Sequence, residues 1–365
     1  MELIGPRIYV PANASRLFKN FEHSTSQPEG IIQLAWSKEK PYLYNSSYNS
    51  TVTIYDENYC TVDPFHFTRS QSYFEKLVPL LTDYDAYIEI GCGQGEFVES
   101  MRARGLNAFG FDPVLRAPTQ FLIDELWTIS SEEDLLKSLG KYTPLYVMRC
   151  VLPHIPEPFQ FLDLIFENHP DGAVLLEFQK REWIADNKVW PQISHDHVNI
   201  FSESDFSQNY TIVSSGSFSD DEWLYVLLKR RSRLSKMEIE NLQEIAEFSE
   251  IFSIRDTEIS MLVNLERPIA IYGAAGKGIV LAHSLKKAGI NEIFALDSDS
   301  SRHGLFMECS GVYVIENKDE VDLFKSNVLV LVANPNHLSF VKNCYPNLQI
   351  ACVGSLGGIA DDYFN

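Results

Sequence analysis

YIEIGCGQGEFVESMRARGLNAFGFDP, residues 87–113, reads as a strand, a glycine turn, a helix and a second strand that ends in an acid. Ile88 and Ile90 make a short apolar strand, and Gly91, Gly93 and Gly95 let the backbone turn tightly and approach a ligand. Glu96 to Arg104 carries helical spacing, and Asp112 closes the strand Ala108–Phe111. In a doubly wound sheet an acid there accepts hydrogen bonds from ribose hydroxyls, while the turn lies under the rest of the nucleoside.

The details separate two nucleoside cofactors. Glu89 stands before the turn, where a carboxylate suits the cationic amino-acid end of S-adenosylmethionine, whereas a dinucleotide offers no such cation there and needs room for its pyrophosphate. The order E-x-G-x-G-x-G is the methyltransferase order. The expected cofactor is S-adenosyl-L-methionine, held by Glu89, Gly91, Gly93, Gly95 and Asp112.

Composition narrows the acceptor. The chain has 365 residues, enough for two or three domains, and a net charge of −20, which opposes binding to a nucleic-acid backbone. No apolar run reaches the roughly 18–20 residues of a membrane span, and the N-terminus lacks the basic start and apolar core of a secretion signal. A cytoplasmic enzyme with a small-molecule acceptor is therefore expected, without membrane or nucleic-acid partners. The six cysteines form no C-x-x-C pair, so neither a disulfide framework nor a zinc knuckle is indicated, and Cys92 reads as a small residue in a tight loop.

Four segments are expected. Residues 1–70, rich in Ser, Asn, Tyr and Pro, read as a cap without sustained periodicity, followed from Gln71 to Leu81 by a helix. Residues 71–232 alternate short strands (Tyr87–Ile90, Ala108–Phe111, Leu145–Met148, Ala173–Glu177) with helices and close on a hairpin, Tyr210–Ser214 with Trp223–Leu228. After the polar joint Arg230, Arg231, Ser232 and Arg233, residues 233–266 form a helical connector from Lys236 to Leu265, with Ile239, Leu242, Ile245, Phe248 and Ile251 on one face. Residues 267–365 begin a second strand-turn-helix-strand unit: Pro268–Tyr272, the turn GAAGKG at 273–278, a helix to Lys287, and Glu292–Leu296 ending in Asp297. The fold class is thus α/β: a Rossmann-like class I methyltransferase domain, a helical connector and a second, smaller Rossmann-like domain.

The second turn differs from a dinucleotide fingerprint in glycine order, and Lys277 adds a cation where backbone amides usually act alone. It reads either as a structural turn or as a phosphate contact through Lys277.

Two histidine segments are placed for acid–base work. MRCVLPHIPEP (148–158) runs from a strand end into a loop with His154, and such loops face a ligand bound at the carboxyl edge of the sheet. ISHDHVNIFS (193–202) carries His195 and His197, which point one way in extended backbone, with Ser194 and Asp196 pointing the other. These groups suit a base and its orienting partner; metal ligation is also open on residue type, but the spacing supplies no obvious fourth ligand.

Together the EIGCGQG turn, VLPHIP, HDH followed by an aromatic-Ser pair, and the late GAAGKG unit resemble the bacterial sugar C-methyltransferase family, from about Tyr42 onward. That resemblance implies S-adenosylmethionine-dependent methylation of carbon 3 of a 4-keto-deoxysugar nucleotide, in which a base removes the proton beside the ketone and an enolate forms. The family's tyrosine-x-glutamate-histidine motif falls on Ser194, Asp196 and His197, and its loop histidine on His154. Only the histidines match outright. An N-terminal family tyrosine corresponds to Tyr44 or Tyr48, and the family's cysteine-rich zinc module is missing. The resemblance implies His197 as base, Asp196 as its partner, His154 as a donor to the developing oxyanion, Tyr48 as a further catalytic group, and Lys277 and His195 as acceptor contacts. An O-methyltransferase, a noncatalytic nucleotide-binding protein and an NAD-dependent oxidoreductase are the alternatives.

Overall fold

The structure is a computed structural model in which residues 1–56, 58, 74–75, 77–79, 81–231, 242–316 and 327–356 are described. Strands β1 (Glu2–Pro11), β2 (Leu17–Phe18), β3 (Glu29–Ser37) and β4 (Lys40–Asn45) replace the aperiodic cap expected of the first segment. β1, β3 and β4 pair antiparallel, from Glu2 opposite Trp36 to Pro11 opposite Glu29, and on through Leu34 opposite Asn45. The alternation is blurred because the β1 register shifts between Ile4 and Ile8, and because this edge strand leaves Leu3 and Tyr9 exposed.

The next eight strands are β5 (Ala86–Ile90), β6 (Ala108–Phe111), β7 (Leu122–Ile123), β8 (Pro144–Arg149), β9 (Ala173–Gln179), β10 (Asn199–Ile200), β11 (Tyr210–Phe218) and β12 (Trp223–Arg230). All but β10 form one seven-stranded sheet in the order β11-β12-β9-β8-β5-β6-β7. β5 to β9 run parallel within it, and β12 pairs antiparallel with both β9 and β11, as the hairpin reading anticipates. The central strands β5 and β8 are buried on both faces, which is why they read as near-continuous apolar runs. This is the class I methyltransferase fold. The chain proceeds from β5 to β6 on one side and returns to β8 on the other, so a ligand crevice opens at the carboxyl ends of those strands. β10 leaves this sheet and pairs with β4, Asn199 opposite Tyr44, fastening the histidine loop before it to the N-terminal sheet.

Of the expected leading helix, Gln71 lies outside the described residues, whereas Phe74, Leu77 and Leu81 are buried. Ser232, Arg233, Lys236 and Ile239 also lie outside the described residues; the connector is described as a helix from Leu242 to Val263. It buries Phe248, Ile251 and Phe252 in a core shared with Ile4, Trp190 and Ile269. A Cβ on Gly5 would meet the Phe252 ring at 2.1 Å, so that residue must be glycine for the helix to seat on β1. Glu258 on the same helix accepts from Trp190 Nε1 (2.9 Å) and from the backbone N–H groups of Gly354 (3.1 Å) and Leu356 (3.0 Å).

Strands β13 (Ile269–Tyr272), β14 (Ile293–Leu296), β15 (Phe306–Met307), β16 (Leu329–Val332) and β17 (Gln349–Cys352) follow. Four of them form a parallel sheet in the order β14-β13-β16-β17, and β15 pairs with β2. The helix Lys277–Lys287 packs close to the turn before it: a Cβ on Gly278 would lie 1.7 Å from the Gly273 carbonyl oxygen. No helix among the described residues is long and apolar enough to cross a membrane.

Candidate active site

A cavity of about 680 Å³ runs between the seven-stranded sheet and the four-stranded parallel sheet. One wall carries Gly91, Gly93, Asp112 and Arg149; the opposite wall carries Gly273, Gly276, Lys277 and Asp297; His154, His197 and Tyr55 lie along it. The volume falls within the roughly 300–1,000 Å³ of small-molecule sites.

The first wall follows from the turn's chemistry. Gly91, Gly93 and Gly95 all have positive φ (71°, 59° and 92°), which lets the loop fold back onto β6. Gly91 and Cys92 donate to the Phe111 carbonyl (2.8 and 3.1 Å), and the Asp112 carboxylate accepts from Gly93 N (2.9 Å) and Val114 N (2.8 Å). A carboxylate has about four acceptor positions, so two remain on Asp112 for the hydroxyls of a ribose. Burial raises the Asp112 pKa, opposed by its two backbone hydrogen bonds. Cys92 is buried against Gly110, and burial pushes its thiol well up, away from reactivity.

Glu89 lies behind this wall. Its side chain is fully buried, accepts from Arg149 Nε (2.8 Å), and has its second oxygen, Oε2, without a hydrogen-bond partner. Burial lifts its pKa to about 7 although Arg149 pulls it down. Arg149 stands between Glu89 and the cavity, stacked over the Phe97 ring at 4.4 Å. The cation at the expected cofactor end was not anticipated from sequence, although it lies inside the MRCVLPH segment. An orphaned carboxylate oxygen beside a guanidinium fits a zwitterionic amino-acid group, and the free acceptor positions of Asp112 fit its adenosine.

The histidines meet beyond the cofactor wall. The rings of His154 and His197 lie edge to face with centroids 4.7 Å apart. His154 Nδ1 is 2.8 Å from the Asp196 carbonyl oxygen; a carbonyl only accepts, so Nδ1 carries the proton and the lone pair is on Nε2. His197 Nδ1 faces the Gln192 amide nitrogen at 3.3 Å and so accepts, which puts its proton on Nε2. Burial, helped by nearby His154 and Lys277 and opposed by Asp196, lowers the His197 pKa to about 4. His197 is therefore a neutral ring and a poor proton acceptor.

Other expected residues lie elsewhere. His195 does not reach the cavity: its ring packs on Gly30, where a Cβ would meet it at 2.1 Å, and its Nδ1 donates to the Ile31 carbonyl (2.9 Å). Tyr48, in the loop just after β4, lies tilted against that ring with centroids 5.1 Å apart, and Tyr44 sits in the β4 ladder. Asp196 is no hydrogen-bond partner of His197; its carboxylate accepts from Ser194 Oγ (2.9 Å), and its backbone carbonyl orients His154 instead. The tyrosine that does approach the histidines is Tyr55, whose hydroxyl is 3.4 Å from His154 Nδ1. Asp56 beside it is clamped by Arg16 (2.6 and 3.3 Å), and Ile54 N donates to Asn13 Oδ1 (2.9 Å). Sequence spacing carries no sign of this, because Arg16 and Asp56 are 40 positions apart.

Lys277 reaches the cavity, but its ammonium is paired with Glu222 at 2.7 Å and lies 5.5 Å above the Trp183 ring. Glu222 also accepts from Asn334 Nδ2 (2.9 Å) and Asn336 Nδ2 (3.2 Å). This buried carboxylate joins the β11–β12 turn to the second sheet and takes up much of the charge expected to meet a phosphate. Among the described residues no group of three His, Cys, Asp or Glu side chains is placed to hold a metal ion.

Fold and site together define the class, a methyltransferase domain that uses S-adenosylmethionine. Residues 65–209 match the family model described as a methyltransferase domain. Among solved structures, the chain is similar to 1,6-didemethyltoxoflavin-N1-methyltransferase from Burkholderia thailandensis, with 12% identity over 44% of this chain and 77% of that one, TM-score 0.30. It is similar also to magnesium protoporphyrin IX methyltransferase from Synechocystis PCC 6803, with 14% identity over 44% and 81%, TM-score 0.30. An S-adenosylmethionine-dependent methyltransferase from Clostridium acetobutylicum aligns with 12% identity over 46% and 92%, TM-score 0.29. A search of curated proteins finds no match. The sugar C-methyltransferase resemblance rests on the sequence motifs alone.

Proposed function

We propose that the protein methylates carbon in a keto-sugar nucleotide or a related small molecule, through base-assisted enolate formation. The observation that carries this reading is the pairing of two histidines with opposite tautomers at one point of the cavity wall. His154 Nε2 presents a lone pair, and His197 Nε2 presents a proton. An acid hydrogen beside a ketone needs both: a base for the proton and a donor for the oxygen that becomes negative. The roles implied by resemblance are thereby exchanged, with His154 as base and His197 as donor.

A neutral imidazole suits the donor role, since a pKa near 4 keeps it uncharged at neutral pH without removing its N–H. The Asp196 carbonyl holds His154 in the tautomer that leaves Nε2 free, and the Tyr55 hydroxyl lies beside the same ring. S-adenosylmethionine supplies an electrophilic methyl group on a sulfonium. Asp112 and the Gly91–Gly95 turn would hold its adenosine, and Glu89 with Arg149 its amino-acid end.

The test is proton exchange without methyl transfer. With S-adenosylhomocysteine in place of the methyl donor, a 4-keto-deoxysugar nucleotide incubated in D2O should take up deuterium at carbon 3. The His154→Gln variant should not. No exchange with the unmodified protein on any ketosugar tried would remove the enolate reading.

A further inference from the structure

Packing fixes the Tyr55 ring only in part, since the residue is 43% exposed. Its backbone neighbours are tied down instead, each to the segment 13–17. Ile54 N donates to Asn13 Oδ1 (2.9 Å), Asp56 takes both prongs of the Arg16 guanidinium (3.3 and 2.6 Å), and Leu17 N donates to the Asn58 carbonyl (3.3 Å). Asp56 Oδ1 also accepts from Asn58 N at 2.9 Å, which closes the turn just beyond Tyr55.

Arg16 is the hub of this arrangement. Its side chain is buried, and Nη1 donates to Gln27 Oε1 (2.7 Å) and to Glu308 Oε1 (3.3 Å) while Nε and Nη2 serve Asp56. Glu308 follows β15, which pairs with β2, and its own N–H donates to the Arg16 carbonyl at 3.3 Å. A two-pronged guanidinium–carboxylate pair fixes direction as well as distance. One buried cation thus joins the N-terminal segment, the second unit and the turn that carries Tyr55 into the cavity.

What Tyr55 does there follows from the tautomer of His154. Nδ1 already gives its hydrogen to the Asp196 carbonyl at 2.8 Å, so the Tyr55 oxygen, 3.4 Å away, can only accept a second and longer share of the same hydrogen. The rings stand edge to face with centroids 6.3 Å apart. When Nε2 takes a proton the ring becomes a cation, and an added acceptor at Nδ1 favours that charged form.

We infer that Arg16 is a positioning residue for proton removal by His154: through Asp56 it holds the Tyr55 oxygen beside Nδ1, where that oxygen supports the imidazolium. This rests on His154 being the base of the proposed reaction. The proton passes from carbon to Nε2, the bonding pair passes to the enolate oxygen beside His197, and Nε2 returns its proton to water once the product has left.

The experiment compares the full chain with Tyr55→Phe, Asp56→Ala, Arg16→Lys and the Tyr55→Phe, Asp56→Ala double variant. The first readout is deuterium uptake from D2O at carbon 3 of a 4-keto-deoxysugar nucleotide with S-adenosylhomocysteine bound, which reports proton removal alone. Tyr55→Phe and Asp56→Ala should each slow uptake about tenfold or more, with KM and S-adenosylhomocysteine affinity unchanged. The double variant should be no slower than Tyr55→Phe, because both changes remove the same contact. The second readout is the Nδ1 hydrogen resonance of His154 in a proton–nitrogen correlation spectrum, identified by its loss in His154→Gln. Asp56→Ala should move it in the same direction as Tyr55→Phe. Arg16→Lys, which keeps the charge and loses the two-pronged geometry, should behave as Asp56→Ala does and replaces it if that variant fails to bind S-adenosylhomocysteine. Losses of rate that add in the double variant, a rise in KM at unchanged maximal rate, or a resonance that moves with Tyr55→Phe alone overturns the inference. A parent chain that takes up no deuterium from any ketosugar removes the enolate reading and this role with it, whereas uptake by the parent with additive losses overturns the role of Arg16 alone.

Discussion

His154 and His197 stand edge to face, 4.7 Å between ring centroids, and are fixed in opposite tautomers by the Asp196 carbonyl and the Gln192 amide. One ring is ready to take a proton where the other is ready to give a hydrogen bond. The loop bearing His197 is tied to the loop bearing His154 by Asn199 Nδ2, which donates to the Ile155 carbonyl at 2.6 Å, while the pairing of β10 with β4 fastens it to the N-terminal sheet.

His154→Gln should lower kcat by about 10²- to 10⁴-fold, the usual contribution of a positioned base, with cofactor affinity unchanged. His197→Ala should cost about 10²–10³-fold, as loss of an oxyanion donor does, and His197→Gln less, since its amide can still donate. Steady-state kinetics of the three variants decides the assignment. If His197→Gln proves as damaging as His154→Gln while His197→Ala is milder, the roles are wrong.

Asp112→Ala should weaken S-adenosylhomocysteine binding roughly 10- to 100-fold, taking about 1.5–3 kcal/mol for hydrogen bonds to a charged group. Calorimetry reads this directly. Asp297→Ala is the internal control, because Asp297 caps the turn of the other unit through Ala274 N (2.7 Å) and its loss should leave that affinity alone.

Glu222→Ala should destabilise the fold by about 3–5 kcal/mol, because it leaves the Lys277 ammonium and two asparagine amides facing an empty place in a buried network. Glu222→Gln keeps an acceptor for the asparagines and should cost less. Urea unfolding of both variants checks the order; equal stability of Glu222→Ala and the parent chain would show that this carboxylate does not join the two units.

Away from the cavity, Glu308 is one buried carboxyl whose proton is coupled to folding. Burial lifts its pKa to about 8 against the pull of Arg16, from an ordinary 4.5. The folded chain therefore holds this proton more tightly than the unfolded chain, so its contribution is fully present below pH 4.5 and is lost as pH rises toward about 8. Glu308→Gln retains an oxygen for Arg16 and should flatten the fall in melting temperature across that interval. A slope identical to that of the parent chain would contradict the assignment.

Most of the sheet order in residues 86–230 is legible because the strands are short, apolar and separated by glycine turns, and Asp112 announces itself by spacing. The histidines are legible as a set, but their roles are not. Which nitrogen of His154 carries the proton depends on a carbonyl 42 residues away, and no local pattern records that. His195 illustrates the opposite error: it shares its sequence phase with His197, yet Gly30 opens a slot for it in the N-terminal sheet. Tyr55 and Arg149 stayed hidden for a related reason, since each is placed by a distant partner, Arg16 through Asp56 and Glu89 respectively. The N-terminal sheet leaves little period-two signal in the sequence because its edge strand carries a register shift and exposed apolar side chains.

In the proposed reaction the cavity directs the methyl group to carbon. The most direct measurement is the position of a carbon-13 methyl label transferred from S-adenosylmethionine to a 4-keto-deoxysugar nucleotide, read by NMR of the isolated product. The label should appear on carbon 3, beside the ketone, and should be lost with His154→Gln. A label on oxygen would show that the same base serves a hydroxyl acceptor, and would contradict the enolate account.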